Sequence, residues 1–120
     1  MSNLKVFVAG YFDLLHSGHI RFLEEASAFG DVYVSLGADD NSLYSKNKLP
    51  VYSEEERKYM LEALRYVKEV EISKNKLGTD SFLDYFHDVK PDVFVTNEDG
   101  SDLDKKESLC LKSGVEFKVL

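Results

Sequence analysis

Two imidazoles three residues apart, His16 and His19, sit in the segment Gly10-Tyr11-Phe12-Asp13-Leu14-Leu15-His16-Ser17-Gly18-His19. The apolar run Val6 to Ala9 precedes it, and Ile20, Leu23 and Ala26 follow at helical intervals, so the segment reads as a strand-to-helix turn. A three-residue offset across a helix start can bring both rings to one side. The free amides of a helix amino terminus favour an anionic group, a phosphate above all, and Gly10 and Gly18 let backbone come close to it. Alone, either histidine would be read as a loop or helix-surface residue. Two histidines, two glycines and Asp13 between one strand and one helix point instead to phosphate chemistry.

The elements that must position this turn are visible as alternation. Five apolar runs are strand candidates: Val6 to Ala9, Val32 to Leu36, Tyr66 to Ile72, Val93 to Val95 and Val115 to Leu120. Helical spacing fills the intervals. Ser53 and Glu56 form a capping box ahead of the stripe Met60, Ala63, Leu64 and Val67. A third helix is expected from Thr79 through Phe82, Leu83 and Phe86, closed by Pro91, and a fourth from Ser101 to Gly114. Residues Ala38 to Tyr52 show no sustained period and read as a long loop carrying Lys46 and Lys48, of a length that in a compact domain is usually either functional or disordered. Strand then helix throughout predicts an α/β fold: a Rossmann-like, doubly wound parallel sheet of about five strands with helices on both faces. Ligands of such sheets sit beyond the carboxyl ends of the strands, where strand order reverses. The end of the first strand runs straight into the histidine segment.

Composition narrows the function classes. The chain of 120 residues suits one domain, 1–120. Its net charge of -7 opposes non-specific attraction to nucleic acid and to anionic membranes, so phosphate binding must come from local geometry. Cys110 is the single cysteine, which removes an intrachain disulfide and a cysteine-rich zinc site. Leu4 to Ala9 is too short to span a membrane. A soluble, cytoplasmic protein is expected. No further ligand-like spacing accompanies the two histidines, so they are not read as a zinc pair, and His87 reads as structural.

The segment from Gly10 to His19 resembles the Gly-x-Phe-Asp-x-x-His-x-Gly-His motif of the cytidylyltransferase-like nucleotidyltransferase superfamily, with all six fixed positions matched. The resemblance extends over nearly the whole chain and is nearest to the enzymes that act on glycerol 3-phosphate. It implies in-line transfer of a nucleoside monophosphate, CMP by preference, from the triphosphate to a small phosphorylated alcohol, with release of pyrophosphate. His16 and His19 would stabilise charge on the α-phosphate, and Mg2+ would travel on the nucleotide phosphates with no metal ligand from the protein. Gly10, Tyr11, Phe12, Asp13 and Gly18 would shape the nucleotide site, Asp13 by ordering the turn. Lys46 would act in catalysis and Lys48 on substrate phosphate, although spacing alone would make both solvated loop lysines. Arg65-Tyr66-Val67-Lys68-Glu69-Val70 is similar to the family's Arg-Tyr-Val-Asp-Glu-Val, which would put Arg65 on the nucleotide; without the resemblance it is a helix-end arginine. Arg57 reads as a surface or helix-pairing residue. A homodimer is implied as well.

Three departures qualify the resemblance. Tyr11 stands where relatives carry a small residue, and its phenol would crowd the phosphates or add a donor. Asn97, in Thr96-Asn97-Glu98-Asp99-Gly100, stands where relatives carry a Gly-Asp-Asp type sequence at the base pocket. The sequence also ends before the family's Ser/Thr-rich segment. The alternatives are therefore ATP-dependent adenylyl transfer to a sugar phosphate, or a nucleotide-binding or assembly domain with little catalysis.

Overall fold

The computed structural model describes residues 4–74, 78–98, 100 and 102–120. Strand β1 (Lys5–Gly10) leads into helix α1 (Ser17–Ser27), then β2 (Asp31–Gly37), α2 (Asp39–Lys46), α3 (Glu54–Glu62) and β3 (Glu69–Ser73). A 3-10 turn at Gly78–Asp80 precedes α4 (Leu83–Val89), β4 (Val93–Thr96), α5 (Leu103–Ser113) and β5 (Glu116–Val119). The strands form one parallel sheet in the order β3-β2-β1-β4-β5. The chain moves outward from β1 to β3, then returns across the sheet to β4, so strand order reverses between β1 and β4.

Alternation along the strands divides the core by sheet face. Val6 and Val8 of β1 pack with Leu23 and Ala26 of α1 and Leu61 of α3. Phe7, between them, points the other way into an aromatic layer with Tyr85 and Phe86 of α4, Phe94 of β4 and Cys110 of α5. Phe7 meets Phe86 and Phe94 edge-on, at ring-centroid distances of 5.3 and 5.1 Å. Helices α1 and α3 thus cover one face of the sheet, α4 and α5 the other.

Four boundaries differ from the sequence expectation. Strand β3 begins at Glu69, because Ala63 to Val67 continue past α3 in tight turns, Ala63 N–H to Tyr59 O and Val67 N–H to Leu64 O. Those turns take Leu64 and Val67 to the core edge in place of a longer helix. The third helix begins at Leu83 after the 3-10 turn, not at Thr79. The fourth begins at Leu103; Ser101, its expected start, lies outside the described residues, and Gly114 ends it with a left-handed φ of 70°. The largest correction concerns Ala38 to Tyr52, which is no continuous loop: α2 occupies Asp39–Lys46. Its inward residues are polar, Asn41 and Ser42, so it carries no apolar stripe for a periodicity search to find.

Candidate active site

At β1's end, the chain turns into α1 through two residues with left-handed backbone, Phe12 (φ 49°) and Leu14 (φ 50°). Neither is glycine, and each such conformation costs about 1 kcal/mol or more unless the surroundings enforce it. The enforcement is visible. Arg57, on α3 and fully buried, donates from Nη1 to the carbonyls of Tyr11 (2.8 Å) and Gly37 (2.9 Å). Its Nε donates to Tyr52 O, and its Nη2 pairs with Asp39 at 2.6 Å. Asp13 accepts from the amides of Val51 (2.9 Å) and Tyr52 (3.1 Å). Desolvation works against the Asp13 carboxylate, but the amides of Val51, Tyr52 and Leu14 together outweigh it and hold the pKa below the usual value. The Phe12 ring is buried and meets His19 edge-on at 5.6 Å. Arg57 is therefore the tie among β1, β2, α2 and α3: its burial corrects the reading as a surface residue, while the ion pair with Asp39 on α2 agrees with helix pairing. Because its acceptors are mainly backbone carbonyls, its role left no mark in side-chain pattern.

The two histidines cap α1 reciprocally. His16 is the N-cap residue, and its Nδ1 accepts from Gly18 N–H at 3.0 Å; His19 Nδ1 accepts from His16 N–H at 3.1 Å. Amides that helices usually leave to serine or aspartate are here satisfied by imidazoles. Since each Nδ1 is an acceptor, a neutral ring carries its proton on Nε2, and neither Nε2 has a partner among the described residues. The rings stack with centroids 3.9 Å apart. Burial, then the neighbouring His16, lowers the pKa of His19 and favours that neutral form. Gly18 has a specific reason to be glycine: a Cβ there would lie 2.8 Å from His16 Cε1.

These rings line a cavity of about 810 Å³ at the carboxyl edge of the sheet, over the point where strand order reverses. From β1 and its turn come Ala9, Gly10, Tyr11 and Phe12; from α1, Gly18 and Phe22 join the histidines. On the β2 side lie Ser35, Gly37, Asn41, Ser45 and Lys46. On the β4 side lie Thr96, Asn97, Gly100 and Lys106, while Gly78, Ser81 and Phe82 close the rear. No carboxylate lines this cavity among the described residues, which fits an anionic ligand.

The expected site residues divide accordingly. Gly10, Tyr11, Phe12, His16, Gly18, His19, Lys46 and Asn97 all meet at the cavity. Lys46 ends α2 and holds its ammonium 4.2 Å from the centroid of the Tyr11 ring. The Tyr11 ring lies over Gly37, where a Cβ would come within 2.4 Å, and its hydroxyl accepts from Asn41 Nδ2 at 2.7 Å. Lys48, Asp13 and Arg65 are not among the residues lining the cavity. Lys48 follows Asn47, whose left-handed φ of 58° ends α2, so the two lysines do not project together from an extended loop. Arg65 is exposed and donates to Tyr66 OH at 2.9 Å. His87 is exposed against Phe86.

Sequence reasoning missed Asn41 and Lys106. Asn41 is buried and fully engaged, donating to Tyr11, Ser81 and Gly78 O and accepting from Gly78 N–H at 2.6 Å. Nothing in its neighbourhood signals that. Lys106 left a signal: it falls on the stripe Leu103, Lys106 and Cys110 of α5, where an apolar residue would be expected.

Known proteins resemble this chain in sequence and in fold. The cytidylyltransferase-like family profile matches residues 7–113. The glycerol-3-phosphate cytidylyltransferase of Bacillus subtilis is 42% identical over 96 residues, 79% of this chain and 71% of that one. The FAD synthase of Aciduliprofundum boonei is 32% identical over 118 residues, 98% of this chain and 76% of that one. A crystal structure of the lipopolysaccharide core biosynthesis protein from Thermoplasma volcanium superposes with a TM-score of 0.81 at 26% identity, covering 98% of this chain and 94% of that one. None of the described helices is long and apolar enough to cross a membrane. With its parallel sheet, its histidine-capped helix and these relatives, the chain belongs to the cytidylyltransferase-like family of nucleotidyltransferases.

Proposed function

We propose that the protein transfers CMP from CTP to a small phosphorylated alcohol such as glycerol 3-phosphate. The observation that carries the reading is the reciprocal cap, which leaves two Nε2–H donors at one helix amino terminus facing the cavity. An oxygen of the acceptor's phosphate attacks the α-phosphorus and forms the new P–O bond. The bond from that phosphorus to the bridging oxygen breaks, and pyrophosphate leaves with the electron pair. A phosphate monoester dianion needs no deprotonation, so the chain supplies no general base. Its work is electrostatic: the His16 and His19 donors meet charge as it grows on the α-phosphate and bridging oxygens. Lys46, released from the Tyr11 ring, neutralises phosphate from the opposite side. Mg2+ would enter on the triphosphate oxygens, since the described residues of the cavity offer it no carboxylate.

The fivefold recurrence of the name FAD synthase among the first relatives supports a second reading, adenylyl transfer from ATP. Pyrophosphate release measured with CTP and with ATP, each with Mg2+ and a panel of phosphorylated alcohols and sugars, separates the two. Turnover with CTP and glycerol 3-phosphate, abolished by chelation, is expected. Turnover with ATP alone would replace cytidylyl by adenylyl transfer, and silence with both would leave a nucleotide-binding or assembly role.

A further inference from the structure

Lys106 is the one lysine in the cavity lining that is more than nine-tenths buried, 8% exposed against the open position of Lys46. Its ammonium has no hydrogen bond or ion pair among the described residues. Its Nζ stands 6.0 Å from the centroid of the Phe94 ring, and the attraction of Asp102 is exerted without an ion pair. Burial lowers its pKa, with Asp102 opposing. A cation taken out of water is costly, and with no partner among the described residues a ligand acceptor would offset that cost.

We infer that Lys106 reads the nucleobase, donating from Nζ to the carbonyl oxygen of a pyrimidine held between the end of β4 and α5. The inference rests on the proposed nucleotide site and goes beyond it to the residue that selects the base. Position supports it. The phosphate donors stand on the α1 face of the sheet and at α2, whereas Lys106 reaches the cavity from α5, on the opposite face and beyond β4. Chemistry supports it too. A dianionic phosphate calls for several donors, and here a single ammonium sits beside aromatic Phe82 and Phe94. The groove that adjoins Lys106 is lined by Asp80, Asp102 and Asp104 and by Lys105 and Lys112 beside Lys106 itself, so its charges balance and it offers no cationic cluster for a second phosphate. Cytosine offers such an oxygen at O2, whereas adenine has none. Thr96 and Asn97 flank the same end, and Gly100 lets the chain fold over Thr96, where a Cβ would lie 2.6 Å from Oγ1.

Calorimetric titration of the wild type, Lys106→Met and Lys106→Arg with CTP, ATP, inorganic tripolyphosphate and glycerol 3-phosphate tests this. Lys106→Met is expected to weaken CTP binding about 10-fold or more, the loss of one charged hydrogen bond. It leaves ATP, tripolyphosphate and glycerol 3-phosphate unchanged, and its melting temperature does not fall, because the cost of burying the ammonium has gone. Lys106→Arg recovers part of the CTP affinity, and gives the same readout should the methionine variant fold poorly. CTP affinity equal to wild type in both variants overturns the inference and leaves the proposed function standing. Loss confined to glycerol 3-phosphate or tripolyphosphate also overturns it, by moving Lys106 to a phosphate. A wild type that binds neither CTP nor ATP removes both the proposed function and the inference.

Discussion

The His16–His19 cap and the Arg57 network lie on the two sides of one turn, yet they are built on opposite plans. Every hydrogen bond of the cap spans two or three residues, and its rings reach the open cavity. Arg57 itself is fully buried, and its bonds to Asp39, Gly37 and Tyr11 reach back 18, 20 and 46 residues. The first is a chemical device that a short sequence can specify. The second is the frame that holds that device in a backbone conformation it would not otherwise adopt. The two therefore should fail differently, one by losing turnover with the fold intact, the other by losing the fold.

Arg57→Met sharpens that contrast most. It leaves the Tyr11 and Gly37 carbonyls and Asp39 without their buried partner, for a loss of about 3 to 5 kcal/mol, read as the shift of a denaturant unfolding curve. A change below about 1 kcal/mol would mean that the turn holds itself.

His16→Asn probes the other side. Asparagine is a good N-cap, so stability should stay within about 1 kcal/mol, while removal of the imidazole should reduce turnover ~100-fold or more. Equal loss of both would break the distinction between device and frame.

Acid should act on the cap before the frame. The pKa of His19 is lowered in the fold, so between that value and the unfolded value of about 6.5 the unfolded chain binds the extra proton. The stability His19 contributes is complete above the unfolded value and is lost as pH falls through the folded one. A proton on Nδ1 also removes the acceptor for His16 N–H. Helix α1 should fray on acidification, read by amide exchange at Ser17 to Ile20, while the amides of α3 stay protected.

The smallest effects belong to residues outside the cavity. Arg65→Ala and Lys48→Ala should each change stability by less than about 0.5 kcal/mol, the usual range for surface substitutions. Each should change the KM for CTP by less than threefold. A large KM effect at Arg65 would show that it reaches the nucleotide, as the resemblance to the family implied.

The same contrast explains what was legible in the sequence. The alternation of apolar runs gave away the parallel sheet because strands buried on both faces must be apolar, as Val6 to Val8 are. The histidine turn was legible because its parts are contiguous from Gly10 to His19, whereas the reciprocal capping by the two rings was not. Helix α2 was hidden because it buries Asn41 and Ser42, and amphipathic periodicity measures only apolar burial. Arg57 was hidden because its bonds go mainly to backbone carbonyls, which every residue has. Lys106 lay between these cases, visible as a charge on an apolar stripe but assignable to the cavity only once α5 was placed over β4.

Pyrophosphate release from CTP and glycerol 3-phosphate with Mg2+, compared among the wild type, His16→Asn and His19→Ala, tests the central claim most directly. The account predicts turnover by the wild type and a fall of ~100-fold or more in each variant, with CTP still bound and the fold retained. Turnover that survives in both folded variants would contradict it, because the two Nε2 donors would then have no part in the transfer.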